Sequence, residues 1–212
     1  FDIIRPISIL VCLEQLDVPH GKLMDRFQIT RISIIIFAIT VFTGPFYTVD
    51  NYSHIRNLIS ELGAQQTKNN FIMIIGFLIL GLGILMDSYK KISYPVIPFA
   101  LFGIFMIMAG IFPHKPADTS LFYNHTFHSL HSLSATLAGI SISIGFFWQG
   151  ILSLSRTQKA ICFYLAIACF VFPMLMLTMN EYQGILQRFM YLQIVAWLWI
   201  MFPRNILSNK PL

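Results

Sequence analysis

Charge is scarce in this chain. Asp, Glu, Lys and Arg supply 11% of its 212 residues, less than half of the roughly 25% usual in a soluble domain. That excludes intrinsic disorder and an ordinary soluble enzyme. Cysteine is scarce too. The three present are Cys12, Cys162 and Cys169, with no CxxC pair, so no disulfide scaffold can be built. Cys162 and Cys169 stand seven apart on one expected helix, about 10.5 Å along its axis and too far to bridge. They read as packing residues. Strand-type alternation is missing, which argues against a membrane barrel. No GxSxG elbow, P-loop, HExxH or dinucleotide fingerprint is present. Net charge is +5, yet no basic run could track a phosphate backbone, so nucleic acid is not an expected partner.

Apolar residues fill the space that charge leaves. They make up 56% of the chain, with a mean hydropathy of +0.70. Six apolar runs stand out, at about 32–49, 71–88, 95–112, 128–152, 160–179 and 185–202. Each is near the length of a spanning helix. The expected fold is all-α: a polytopic membrane bundle of six transmembrane helices in the lipid bilayer. Residues 1–23 contain only a short apolar run and read as an N-terminal extension, with Met24 as the natural start. Residues 24–212 form the single transmembrane domain.

Lys and Arg set a direction. Nine (Lys22, Arg26, Arg31, Lys90, Lys91, Arg156, Lys159, Arg204, Lys210) fall at the termini and even-numbered loops, against four (Arg56, Lys68, Lys115, Arg188) on the other side. The asymmetry predicts both termini in the cytoplasm. Five of the six histidines lie on the opposite, outer side: His54, His114, His125, His128 and His131. Ala135, Gly139 and Ser143 form a small-residue stripe suited to close helix contact. Pro173 is expected to kink the fifth span.

The first outer loop places Ile55, Leu58, Ile59 and Leu62 at helical spacing, which predicts a short amphipathic helix on the outer face. Ser53 would cap it and Gly63 would end it. His54 and Glu61 lie two turns apart near one face and are either a solvated edge or part of a shared pocket. Further on, His125, His128 and His131 recur every three residues. They read as hydrogen-bonded groups near the headgroups, as a zinc site helped by Glu61 or Asp118, or as a proton relay.

The stretch YSHIRNLISELGA (Tyr52–Ala64), followed by the glycine-rich GFLILGLGIL, resembles the domain of unknown function 998 family. GIFP (Gly110–Pro113), a histidine opening the fourth span, and the Gly184 to Arg188 spacing followed by Trp197 are similar as well. The likeness covers about residues 30–203. It implies a prokaryotic plasma-membrane protein with about six spans and no established activity. It carries over Ser53, Ser60, Glu61, Gly63, Pro113, one clustered histidine and Arg188.

Two function classes follow. One is a structural, lipid-sensing or partner-binding protein with a polar outer cap of Ser53, His54, Ser60, Glu61, His114, Asp118, Glu181 and Arg188. Arg188 is expected to pair with Glu61 or Glu181 there. The other is a zinc-dependent hydrolase or transferase acting on a lipid or lipid-linked substrate. His125, His128 and His131 would hold the metal, and Glu61 would be the general base.

Overall fold

The structure, a computed structural model, describes residues 28–48, 52–90, 93–118 and 120–202. The N-terminal extension and the proposed start at Met24 lie outside these residues. The described chain is helical, with no strand. Six α-helices follow one another: α1 (Gln28–Thr43), α2 (Phe71–Tyr89), α3 (Ile97–Ile111), α4 (His125–Leu152), α5 (Arg156–Thr178) and α6 (Gln183–Ile200). Each falls on one of the six apolar runs. α4 begins at His125, earlier than its apolar run, because the Asn124 side chain accepts the Phe127 N–H at 3.2 Å and caps the helix there.

Four segments are long and apolar enough to cross a membrane: Ile29–Phe46, Phe71–Tyr89, His125–Leu152 and Arg156–Thr178. α3 is apolar but has 15 residues, about 22 Å of helix against a hydrocarbon core of roughly 30 Å. α6 carries Gln183, Gln187, Arg188 and Gln193 among its 18 residues.

The outer faces of the helices are apolar. Ile32, Ile35, Ile39 and Phe42 are exposed on α1, and Ile167, Phe170, Val171 and Met174 on α5. In water such stripes would be a large unfavourable patch; facing lipid they carry no penalty.

Sequential helices pack side by side, and α6 returns to α1 to close the ring. α2 and α3 touch backbone to backbone. A Cβ on Gly81 would lie 2.5 Å from the Gly103 carbonyl oxygen, and one on Gly103 would lie 2.8 Å from that of Gly81. The core is aromatic where α3, α4 and α6 meet. Trp197 stacks on Phe99 at 5.2 Å and meets Phe146 edge-on at 5.0 Å, so this tryptophan packs the interior. Cys162 and Cys169 are free and buried.

Of the expected stripe on α4 only Ser143 is buried. Ala135 is exposed, and nothing lies within 4 Å of a Cβ built on Gly139. Ser134, Ala138, Ile142 and Gly145 are buried instead. A stripe displaced by one residue is turned by about 100°, and the larger apolar side chains of α4 decide which side faces inward.

At one end of the bundle α2 is tied to α1 by Asp87, whose carboxylate accepts the Thr30 N–H at 2.9 Å, the Thr30 hydroxyl at 2.8 Å and the Lys90 ammonium at 2.8 Å. The other end, the cap end, carries residues 52–70, 112–118 and 179–184.

Candidate functional site

The first cap segment does not form the expected amphipathic α-helix. Residues 54–57 are a turn, and a 3-10 helix (Ile59–Gly63) follows, all five of its residues buried. One helical bond forms, from Asn57 N–H to the Ser53 carbonyl at 2.8 Å, and then α6 takes over the acceptors. Arg188 Nη1 donates to the carbonyls of His54 (2.9 Å) and Asn57 (3.0 Å), and the Ile185 N–H donates to that of Ile55 (3.0 Å). An α-helix would need these same carbonyls for its own i+4 bonds. Tyr52 adds its phenol, which donates to the Asn57 and Leu58 carbonyls at 3.2 and 2.9 Å. The Ile59 N–H donates to Gln187 Oε1 at 2.6 Å.

Gly184 makes this docking possible. A Cβ there would lie 2.4 Å from the Asn57 carbonyl oxygen, 2.8 Å from that of Ile55 and 2.9 Å from that of His54. The spacing between Gly184 and Arg188 is therefore one device. The glycine lets the loop backbone approach, and the arginine one turn on binds its carbonyls. Gly63 serves close approach too, since its Cβ would press on Met73 at 3.3 Å. No described glycine has a positive φ, so Gly63 is not the left-handed helix stop expected from sequence.

A second device joins this segment to residues 112–124. The Gln65 N–H donates to the His114 carbonyl at 2.9 Å. Its side-chain amide donates to the carbonyls of Pro113 and Asn124, both at 3.1 Å, and accepts the Asn124 N–H at 2.7 Å. Gln65 thus spends its whole amide on the neighbouring loop.

The histidines regroup. His114 meets His128 edge-on at 4.6 Å and His131 at 5.2 Å, while His125 packs on Tyr123 at 4.4 Å. His131 Nδ1 lies 2.8 Å from the carbonyl oxygens of Ala109 and Phe112, and His114 Nδ1 lies 2.9 Å from that of Lys115. A carbonyl only accepts, so both rings carry their proton on Nδ1. The trio of His125, His128 and His131 does not converge. Among the described residues no three His, Cys, Asp or Glu side chains form a group that could hold a metal ion. The reason is local: α4 is already helical at His125, so each step of three residues turns the ring by about 60°, and His125 and His131 stand about 120° apart rather than on one face.

Glu61, His114, Lys115, His128 and Gln183 line one cavity of about 330 Å³, with Leu58, Pro116 and Ala117 as its apolar wall. Glu61 is buried, and its carboxylate accepts the Asn57 side-chain amide at 2.6 Å. Burial raises its pKa against the opposing pull of that bond. Burial lowers the His114 pKa to about 3, with His131 adding to the shift, so this imidazole is neutral across the physiological range. The cavity thus holds a carboxyl that resists ionisation, a neutral imidazole and an ammonium-bearing side chain.

The other predicted cap residues scatter. His54 is exposed, edge-on to Tyr52 at 5.6 Å, and does not share the Glu61 cavity. Burial and then Arg188 lower its pKa. Ser53 Oγ accepts the Arg56 N–H at 3.4 Å, and Ser60 is buried in the 3-10 helix. Asp118 is exposed and turned onto Ser120. Glu181 pairs with Arg56 at 2.9 Å, both side chains 70% exposed, a contact worth little in water. Arg188 pairs with neither Glu61 nor Glu181; its described partners are three carbonyls and the Tyr52 phenol. Backbone oxygens suffice because the loop delivers several to one guanidinium.

Sequence reasoning missed Tyr52, Gln65 and Gln187. Tyr52 opens the YSHIRNLISELGA stretch, which gave its phenol no role; no motif marks Gln65 or Gln187, whose partners are set only by the assembled bundle.

An all-helical chain with helices apolar enough to span a membrane and loops fastened over one end is the class this fold defines. Over residues 32–202 the chain matches DUF998, described as a protein of unknown function, and it belongs to that family. No curated protein and no solved structure matches it.

Proposed function

We propose that this DUF998 member is a six-span plasma-membrane protein, both termini cytoplasmic, whose outer end binds a small anionic ligand in the Glu61–His114–Lys115–His128 cavity. One observation carries the reading. Three separate stretches of chain bring these side chains to one concave site, where a buried carboxyl and a buried imidazole both cost folding energy. Lys115 supplies positive charge. Glu61, when protonated, donates a hydrogen bond, and His114, held neutral, offers Nε2 as an acceptor for a ligand hydroxyl. A phosphate monoester bearing hydroxyls fits these groups, whether free or as a lipid headgroup.

The test is calorimetric titration of the detergent-purified chain with sn-glycerol 3-phosphate. Lys115→Met is expected to weaken binding at least tenfold, the loss of about one charge-assisted contact. Binding should weaken as pH rises through the elevated pKa of Glu61, because ionisation places a second negative charge beside the ligand. Glu61→Gln should flatten that dependence. His114 adds nothing above about pH 4, since its pKa lies near 3. Equal binding by Lys115→Met and the parent chain would sink the proposal.

The topology rests on the nine-to-four division of Lys and Arg and on the apolar outer faces of the helices. Asn69 sits at the cap end, its side chain donating to the Tyr47 carbonyl at 2.9 Å. In intact cells a cysteine introduced there should react with a membrane-impermeant maleimide. Labelling only after the inner face is opened would reverse the orientation.

A further inference from the structure

The ring of helices closes least tightly between α1 and α6. An apolar groove of about 300 Å³ lies in this seam. Ala38 and Val41 form one wall, Leu192 and Val195 the other, and Ile59 and Arg188 stand at its cap end. From Ile185 to Val195 the α6 side of the groove runs ten residues, about 15 Å. Lipid would meet it directly, since Ile39 and Phe42 beside it are exposed.

Arg188 gives the groove a sign. Its Nη1 donates to three carbonyls and its Nη2 to Tyr52. A guanidinium has five N–H groups, so Nε–H and the second Nη2–H have no partner among the described residues. No described carboxylate pairs with Arg188. A full positive charge therefore sits at the head of an apolar slot, where a lone cation is costly unless an anion meets it.

We propose that the α1/α6 seam holds one acyl chain of an anionic phospholipid, with the lipid phosphate on the free N–H edge of Arg188. The site is separate from the polar cavity. Leu58 and Glu61 line that cavity, whereas Ile59 between them lines the groove.

Native mass spectrometry of the delipidated chain in detergent tests this, with phosphatidylglycerol and phosphatidylcholine of identical acyl chains. One phosphatidylglycerol per chain should be retained, with apparent affinity at least tenfold above phosphatidylcholine. Ala38→Trp fills the groove without touching Arg188 and should abolish that preference. Val195→Trp does the same from the opposite wall should the first variant not fold. Excess sn-glycerol 3-phosphate, which has the phosphate but no chain, should not displace the lipid. Lys115→Met, which disables only the cavity, should leave lipid retention unchanged. Equal retention of the two lipids overturns the proposal, as does full retention by a folded groove-filled variant. Displacement by glycerol phosphate would reassign Arg188 to a free anion and overturn the acyl-chain site.

Discussion

Gly184→Ala is expected to unseat the first cap segment and cost about 3 kcal/mol. Two effects oppose each other at this position. Alanine favours a helix over glycine by about 1 kcal/mol, and no positive φ bars it here. Against that, the added methyl would lie 2.4–2.9 Å from three backbone carbonyl oxygens. Backbone cannot swing aside as a side-chain tip can. Either α6 or the segment must move, and overpacking of this kind costs roughly 1–3 kcal/mol. Movement also lengthens the charge-assisted bonds from Arg188, each worth about 1.5–3 kcal/mol. The clash wins. Thermal unfolding in detergent should show Tm lowered by about 5–10 °C, and trypsin should cut faster after the exposed Arg56. Gly139→Ala is the control, because its methyl would meet nothing within 4 Å; it should be neutral or slightly stabilising. If both variants behave alike, close approach at Gly184 does not hold the cap.

The difference between these two glycines shows how far the sequence could be read. Hydropathy located all six helices, because an apolar run of that length has few other ways to satisfy its backbone. It could not tell Gly139 from Gly184, since a small residue permits close approach without saying whether a neighbour arrives. The first loop misled for a related reason. Ile55, Leu58, Ile59 and Leu62 have helical spacing, but the carbonyls that would close the helix are bound by Arg188 and Ile185, more than 100 residues away. Periodicity records which side chains are apolar and not which backbone acceptors are already taken. In the site, Glu61 was legible as a polar-cap residue and His128 as one of the clustered histidines near the headgroups. Their companionship with His114 was not, because it joins a loop to a helix across a fold. His125 shares the three-residue spacing and yet faces Tyr123. Near a helix start, spacing alone does not fix which rings converge.

Arg188→Met should have the largest effect of any single substitution considered, about 3–5 kcal/mol. Methionine keeps much of the aliphatic stem, so the loss measures the guanidinium. That group donates to the His54, Asn57 and Gly184 carbonyls at 2.9–3.0 Å and lies 5.5 Å from the Tyr52 ring centroid. Removing it leaves the His54 carbonyl without its described donor and the Asn57 carbonyl with only the Tyr52 phenol, and each unmet group costs about 1–3 kcal/mol. Part of the loss is recovered because the cation itself no longer needs solvation in a partly buried site. Arg188→Lys should restore less than half. An ammonium cannot hold two separated carbonyls and a phenol from the planar fork that Arg presents. Because Gly184 and Arg188 act on the same carbonyls, the double variant should cost clearly less than the two singles added together. Full additivity would mean the glycine and the arginine serve different contacts. The functional consequence is indirect. Leu58 and Glu61 reach their cavity only while the Asn57 and His54 carbonyls stay docked on α6, so Arg188→Met should also abolish sn-glycerol 3-phosphate binding without altering any residue that lines the cavity.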